Sequence, residues 1–138
     1  MSQYNSKSLE KLSMAHQDLQ TLFHKVIQYF DNTILCSVRT EEEQNIAFHN
    51  GVSKKKYPNS LHNQFPSLAI DVIPYPINWE DKSRCYYFGG FVKGIAAILK
   101  ENGIIKHDIR WGGDWNNNTQ VKDESFEDLV HFEITGFK

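Results

Sequence analysis

Apolar side chains recur at Leu9, Leu12, Leu19, Leu22, Phe23, Val26, Ile27 and Phe30, with polar residues between them. That spacing lays them along one stripe of a helix over 8–30. Ser6 or Ser8 can cap this helix, with Glu10 near the positive end of its dipole, and His16 and His24 read as ordinary residues within it. Asp31-Asn32 breaks the pattern, and the run Ile34-Leu35-Cys36-Ser37-Val38 reads as a short buried strand. Thr40-Glu41-Glu42-Glu43 has the form of a capping box, with Thr40 as N-cap and Glu43 reaching back. A helix is expected from there to about Asn50, stopped by Gly51. Residues 52–66 form a long polar loop, and loops of that length in compact domains are often functional.

Leu68-Ala69-Ile70-Asp71-Val72-Ile73 predicts a strand with one acid inside it, stopped by Pro74-Tyr75-Pro76. Residues 83–102 are mostly apolar at helical spacing and end at Gly103. Gly89, Gly90 and Gly94 lower helix propensity there and point to close packing against another element. Residues 104–111 read as a strand with His107 and Asp108 near a turn, 116–122 as a polar loop, and 130–135 as a closing strand. Helices and strands do not alternate regularly, so the expected class is α+β, a small, mainly antiparallel sheet with flanking helices.

The chain has 138 residues and a mass of 16.1 kDa, the size of one domain, 1–138. Hydrophobic residues at 40% and charged residues at 23% fit a folded globular protein. No apolar run approaches the roughly 20 residues that span a bilayer, so no membrane anchor is expected, and Met1 to Glu10 lacks the apolar block of a secretory signal. A net charge of −2 does not favour a nucleic-acid binder. The one basic run, Lys54-Lys55-Lys56, reads as a solvated loop. Cys36 and Cys85 form no CxxC pair, which excludes a zinc ribbon or thioredoxin-like site, and they read as two buried thiols.

Three positions carry candidate chemistry. Asp71 lies in an apolar strand, where a buried carboxylate needs a partner or a metal, though an edge-strand acid facing water fits the alternation equally well. His131 and Glu133 share one face of the closing strand, opposite Val130, Phe132 and Ile134, which on this pattern alone reads as a polar, solvent-facing side. His62 lies in the long loop, nine positions before Asp71. Two histidines and a carboxylate form a common catalytic zinc set that leaves a fourth position open, but scattered His and Asp alone do not establish one.

Four blocks in order sharpen this picture: Ser60-Leu61-His62, Pro66-Ser67-Leu68-Ala69-Ile70-Asp71-Val72, Arg110-Trp111-Gly112-Gly113-Asp114-Trp115 and Asp128-Leu129-Val130-His131-Phe132-Glu133. Together with Val38-Arg39-Thr40-Glu41-Glu42-Glu43-Gln44 upstream, they resemble the zinc D-alanyl-D-alanine carboxypeptidase family over nearly the whole chain. The branch they most resemble is the phage endolysins of the L-alanyl-D-glutamate endopeptidase type. The resemblance implies the fold shared by hedgehog proteins and D-Ala-D-Ala metallopeptidases. It implies zinc ligands at His62, Asp71 and His131, a general base and acid at Asp128, and a substrate-holding cation at Arg39. Many members have a tighter Ser-x-His-x-x-Gly-x-Ala-x-Asp block; here the gap is two residues longer and Phe65-Pro66-Ser67 replaces the glycine turn.

Zinc lowers the pKa of a bound water to about 7, which suits amide hydrolysis at neutral pH. Glu133 is the rival base, or else the support that fixes an imidazole tautomer. Ser60 is expected to orient the His62 loop, while Asp114 and Trp111 are expected either at the pocket wall or in the core. The implied substrate is the stem peptide of bacterial peptidoglycan, cut between L-alanine and D-glutamate. A D-alanyl-D-alanine carboxypeptidase and a non-catalytic zinc- or cell-wall-binding module are the alternatives. For an endolysin, the expectation is a monomer that accumulates in the host cytoplasm and is released to the wall.

Overall fold

A computed structural model describes residues 2–136. Helices α1 (Ser6–Ser13) and α2 (Gln17–Val26) lead into β1 (Asn32–Cys36) and α3 (Glu41–His49). A 3-10 turn (Leu61–Asn63) precedes β2 (Ala69–Pro74), followed by α4 (Lys82–Glu101), β3 (Ile109–Gly112) and β4 (Asp128–Ile134). The four strands form one antiparallel sheet in the order β1-β2-β4-β3. The α+β expectation therefore holds, and β2 and β4 occupy the two central places.

One face of the sheet carries Ile70, Val72, Trp111, Phe132 and Ile134 into a core shared with α2 and α4. Phe132 is its centre, edge-on to Phe23 at 5.5 Å and to Phe88 at 6.1 Å, and stacked on Trp111 at 6.5 Å. Burying a side chain of this size stabilises by about 1.5–3 kcal/mol. The close packing expected of the α4 glycines holds at Gly89 alone, where a Cβ would run into the Trp111 indole; Gly90 and Gly94 face open space. No helix among the described residues is long and apolar enough to cross a membrane. Both cysteines are free, Cys85 buried and Cys36 only half-buried.

The single helix expected over 8–30 is two helices. Between them Ala15 makes a parallel bridge to Ser67, His16 N–H donates to the Ser67 carbonyl at 2.8 Å, and Ser67 N–H donates to the Met14 carbonyl at 2.9 Å. The chain leaves the helix because its backbone groups are used to hold the approach to β2. His16 is the N-cap of α2, its Nδ1 accepting from Asp18 N–H at 3.0 Å. The strand expected at 104–111 is confined to β3, with Ile105 buried in the turn before it.

Asp18 ties that turn to α2. Its Oδ2 accepts from Lys106 N–H, His107 N–H and His107 Nδ1 at 2.9, 3.0 and 2.7 Å. Burial pushes the carboxyl up, but these donors, His107 first, hold it below its ordinary value. A depressed carboxyl contributes stability above its unfolded pKa, and that contribution is lost as pH falls through the folded value. Asp18→Ala is expected to lower the unfolding free energy at pH 7 by about 1–3 kcal/mol. In denaturant titrations the gap to the parent protein should close as pH falls below about 4.

Candidate metal centre

The face of the sheet opposite the core carries the site. Asp71 on β2 and His131 on β4 are directly opposed across the central strand pair, so their Cβ atoms stand roughly 5 Å apart by sheet geometry alone. The water-facing alternative for Asp71 fails because β2 is interior and buried along its length. The alternation predicted for β4 holds, but His131 and Glu133 are buried at 9% and 6% exposure rather than solvent-facing.

His62 enters from the 3-10 turn. Ser60 caps that turn, its Oγ accepting from His62 N–H at 3.2 Å, while its own N–H donates to Asn63 Oδ1. The His62 ring is 1% exposed, and its Nδ1 donates to the Ser37 carbonyl at 2.7 Å. The Ser67 hydroxyl donates to the same carbonyl, also at 2.7 Å. This fixes the His62 tautomer and leaves the Nε2 lone pair facing inward.

His62 Nε2 lies 3.2 Å from Asp71 Oδ1 and 3.4 Å from His131 Nδ1, and His131 Nδ1 lies 3.2 Å from Asp71 Oδ1. Three donor atoms thus converge on one point. The surrounding chemistry keeps them aimed there. His131 Nε2 donates to Glu133 Oε1 at 2.7 Å, and Glu133 Oε2 accepts from Arg110 Nε and Nη2 at 3.1 and 2.6 Å. Arg39 Nη2 donates to Asp71 Oδ2 at 3.1 Å, and Arg39 Nη1 reaches Gln44 Oε1 at 3.3 Å.

The electrostatics call for positive charge at that point. Burial disfavours a charged His62, but the adjacent Asp71 carboxylate pushes the imidazole up to about 10. Burial likewise opposes the Asp71 carboxylate, yet the two imidazoles hold it well below the usual range. A bound cation would answer the same demand.

Asp128, the first residue of β4, brings its Oδ2 to 4.0 Å from His131 Nδ1. Burial, then repulsion from Asp71, pushes its carboxyl up. It stands opposite Gly112, where a Cβ would strike the Asp128 carbonyl, so that glycine sets where Asp128 can lie. Both Glu133 oxygens are engaged by His131 and Arg110, on the far side of the imidazole from the convergence point.

An open cavity of about 420 Å³ leads to these groups, with Arg39, Ser60, His62, Asp128, His131 and Glu133 among its walls. Trp111 and Asp114 are not in the wall. Trp111 packs in the core with its Nε1 donating to the Leu129 carbonyl, and the Asp114 carboxylate accepts from Asn118 and Thr119 N–H inside its own loop. Gln44, Ser67 and Arg110 are supporting groups that sequence reasoning passed over. A buried amide on an outwardly polar helix leaves no periodic signal, whereas Arg110 falls on the site face by strand alternation.

A second group, His16, Asp18 and His107, also brings donor atoms within 4.8 Å. Its Asp18 Oδ2 already accepts three N–H groups and its His16 Nδ1 caps α2, so that group serves the fold.

The sequence matches the model of the phage L-alanyl-D-glutamate peptidase family over residues 1–135. No curated protein matches the chain. Among solved structures, the L-Ala D-Glu endopeptidase ChiX of Serratia marcescens is similar in fold, with a TM-score of 0.67 at 20% identity, covering 96% of this chain and 89% of that one. With the family match running through both central strands and the turn that carries His62, the chain belongs to the phage L-alanyl-D-glutamate peptidases.

Proposed function

We propose that this peptidase hydrolyses the L-alanyl-D-glutamate bond of the peptidoglycan stem peptide with zinc held by His62, Asp71 and His131. The observation that carries the metal assignment is the 3.2, 3.2 and 3.4 Å triangle of two imidazole nitrogens and a carboxylate oxygen. Tetrahedral zinc with ligands at about 2.0–2.1 Å needs ligand atoms about 3.3–3.4 Å apart. The donor set and its spacing therefore fit zinc, and three protein ligands leave one position open.

Zinc, when bound, supplies Lewis acidity that acidifies water and polarises the scissile carbonyl. Asp128 takes the proton of the attacking water and delivers it to the departing amine nitrogen. Burial and the neighbouring Asp71 push its carboxyl up, which makes it a stronger base toward the attacking water. Arg39, anchored by Asp71 and Gln44, stabilises the developing negative charge on the carbonyl oxygen. Glu133 holds His131 in the tautomer that presents Nδ1. Glu133→Gln is expected to weaken zinc binding by about 10–100-fold, read by competition with a chromogenic chelator.

The reaction takes place at the bacterial cell wall, after accumulation in the host cytoplasm. The test is mass spectrometry of peptides released from purified peptidoglycan by the zinc-loaded protein. New fragments beginning at D-glutamate are the expected products. Loss of terminal D-alanine alone would replace this reading with a carboxypeptidase.

A further inference from the structure

Lys54-Lys55-Lys56 is an exposed loop, as its composition predicts, and Lys54 and Lys55 also border the active-site cavity. Four cations line that cavity, Arg39, Lys54, Lys55 and Arg110, against two carboxylates, Asp128 and Glu133. The two arginines are engaged: Arg39 by Asp71 and Gln44, and Arg110 by Glu133 through two of its nitrogens. Among the described residues, no carboxylate lies within 4.0 Å of the Lys54 ammonium.

Lys54 is held in place without being neutralised. Its Nζ stands 4.4 Å from the centre of the Phe126 ring, a contact that leaves the charge available. Phe126 stacks on Trp115 at 6.3 Å, and Trp115 lies 5.4 Å from the His131 ring. An aromatic wall thus runs from the metal centre to the ammonium. Both neighbours of Lys54 are tied down by buried Gln44, whose Nε2 donates to Ser53 Oγ at 3.0 Å and to the Lys55 carbonyl at 2.8 Å. The same amide accepts from Arg39, so the loop is keyed to the catalytic face.

We infer that Lys54 is a specificity-determining residue that receives the free α-carboxylate of the substrate's glutamate. This rests on the reaction proposed above. In a stem peptide that continues through the γ-carboxyl, that α-carboxylate is ionised and sits on the carbon bearing the scissile nitrogen. An unneutralised cation on the cavity wall discriminates a carboxylate from its uncharged amide through charge, with little change in shape.

The experiment compares two synthetic stem peptides, one with D-glutamate and one with α-amidated D-isoglutamine, on zinc-loaded parent protein, Lys54→Gln and Lys54→Arg. Zinc content and thermal midpoint are measured on each. The parent is expected to favour the free acid by about tenfold in kcat/KM, one charge-assisted contact's worth. Lys54→Gln should lose that preference by slowing on the free acid alone, with zinc content and midpoint unchanged, and Lys54→Arg should keep it. An unchanged preference in Lys54→Gln, or an equal loss on both peptides, would overturn the subsite and leave the proposed reaction standing. Cleavage of neither peptide by the parent would overturn the reaction and the subsite with it.

Discussion

Asp128→Asn is expected to lower kcat by about 10²–10⁴-fold, the contribution of a positioned proton carrier, while zinc content stays at that of the parent. The separation follows from geometry. Asp128 approaches His131 Nδ1 only to 4.0 Å, outside the tight triangle made by His62, Asp71 and His131. The substitution keeps the side chain's size and removes its ability to accept a proton. Glu133 cannot take over, because its two oxygens are committed to His131 and Arg110. Steady-state hydrolysis alongside elemental analysis checks this. Parent-like turnover in a zinc-replete Asp128→Asn protein would contradict the assignment of the base.

Asp71→Ala is expected to abolish both zinc retention and turnover, and to lower the unfolding free energy by about 3–5 kcal/mol, the range for breaking a buried ion pair. Asp71 ties three segments to β2 at once. Oδ1 faces His62 and His131, and Oδ2 pairs with Arg39, whose side chain is 11% exposed. Its removal leaves a buried guanidinium without its carboxylate and takes away the charge that favours a cation beside two buried imidazoles. The readouts are zinc stoichiometry after dialysis and denaturant unfolding. Stoichiometric zinc in Asp71→Ala would show that the carboxylate is not a ligand.

The contrast between Asp71 and His131 shows what a one-dimensional pattern carries. Alternation along β4 separated Phe132 and Ile134 from His131 and Glu133 correctly. It could not say that the polar face would be covered, because that depends on the 3-10 turn and the loop before β4 folding over it. Asp71 looked like a possible edge acid until the strand order placed β2 inside the sheet. The break at Met14-Ala15 lay within an unbroken helical stripe, since its cause, the bridge to Ser67, is a contact 52 residues away. The capping box at Thr40 was legible because both of its partners lie within one turn, and both bonds are made.

Within the site, the ordered blocks of residues point to His62, Asp71, His131, Asp128 and Arg39; the fold brings all but Asp71 to the cavity wall, and Asp71 stands behind it against His62, His131 and Arg39. Trp111 and Asp114 belonged to an equally distinctive block, yet their work is local. The two glycines between them allow backbone to approach Asp128 and the Trp111 ring closely. Lys54 was hidden for the opposite reason. A run of three lysines reads as solvent-exposed charge, and all three are exposed; that two of them also border the cavity depends on Gln44 and Phe126, distant in sequence.

The most direct test of the account is anomalous X-ray scattering, at the zinc absorption edge, from crystals of the zinc-loaded protein. One strong peak is expected among His62 Nε2, Asp71 Oδ1 and His131 Nδ1, with none at His16, Asp18 and His107. A peak at the second group with none at the first would contradict the proposed metal centre and the mechanism built on it.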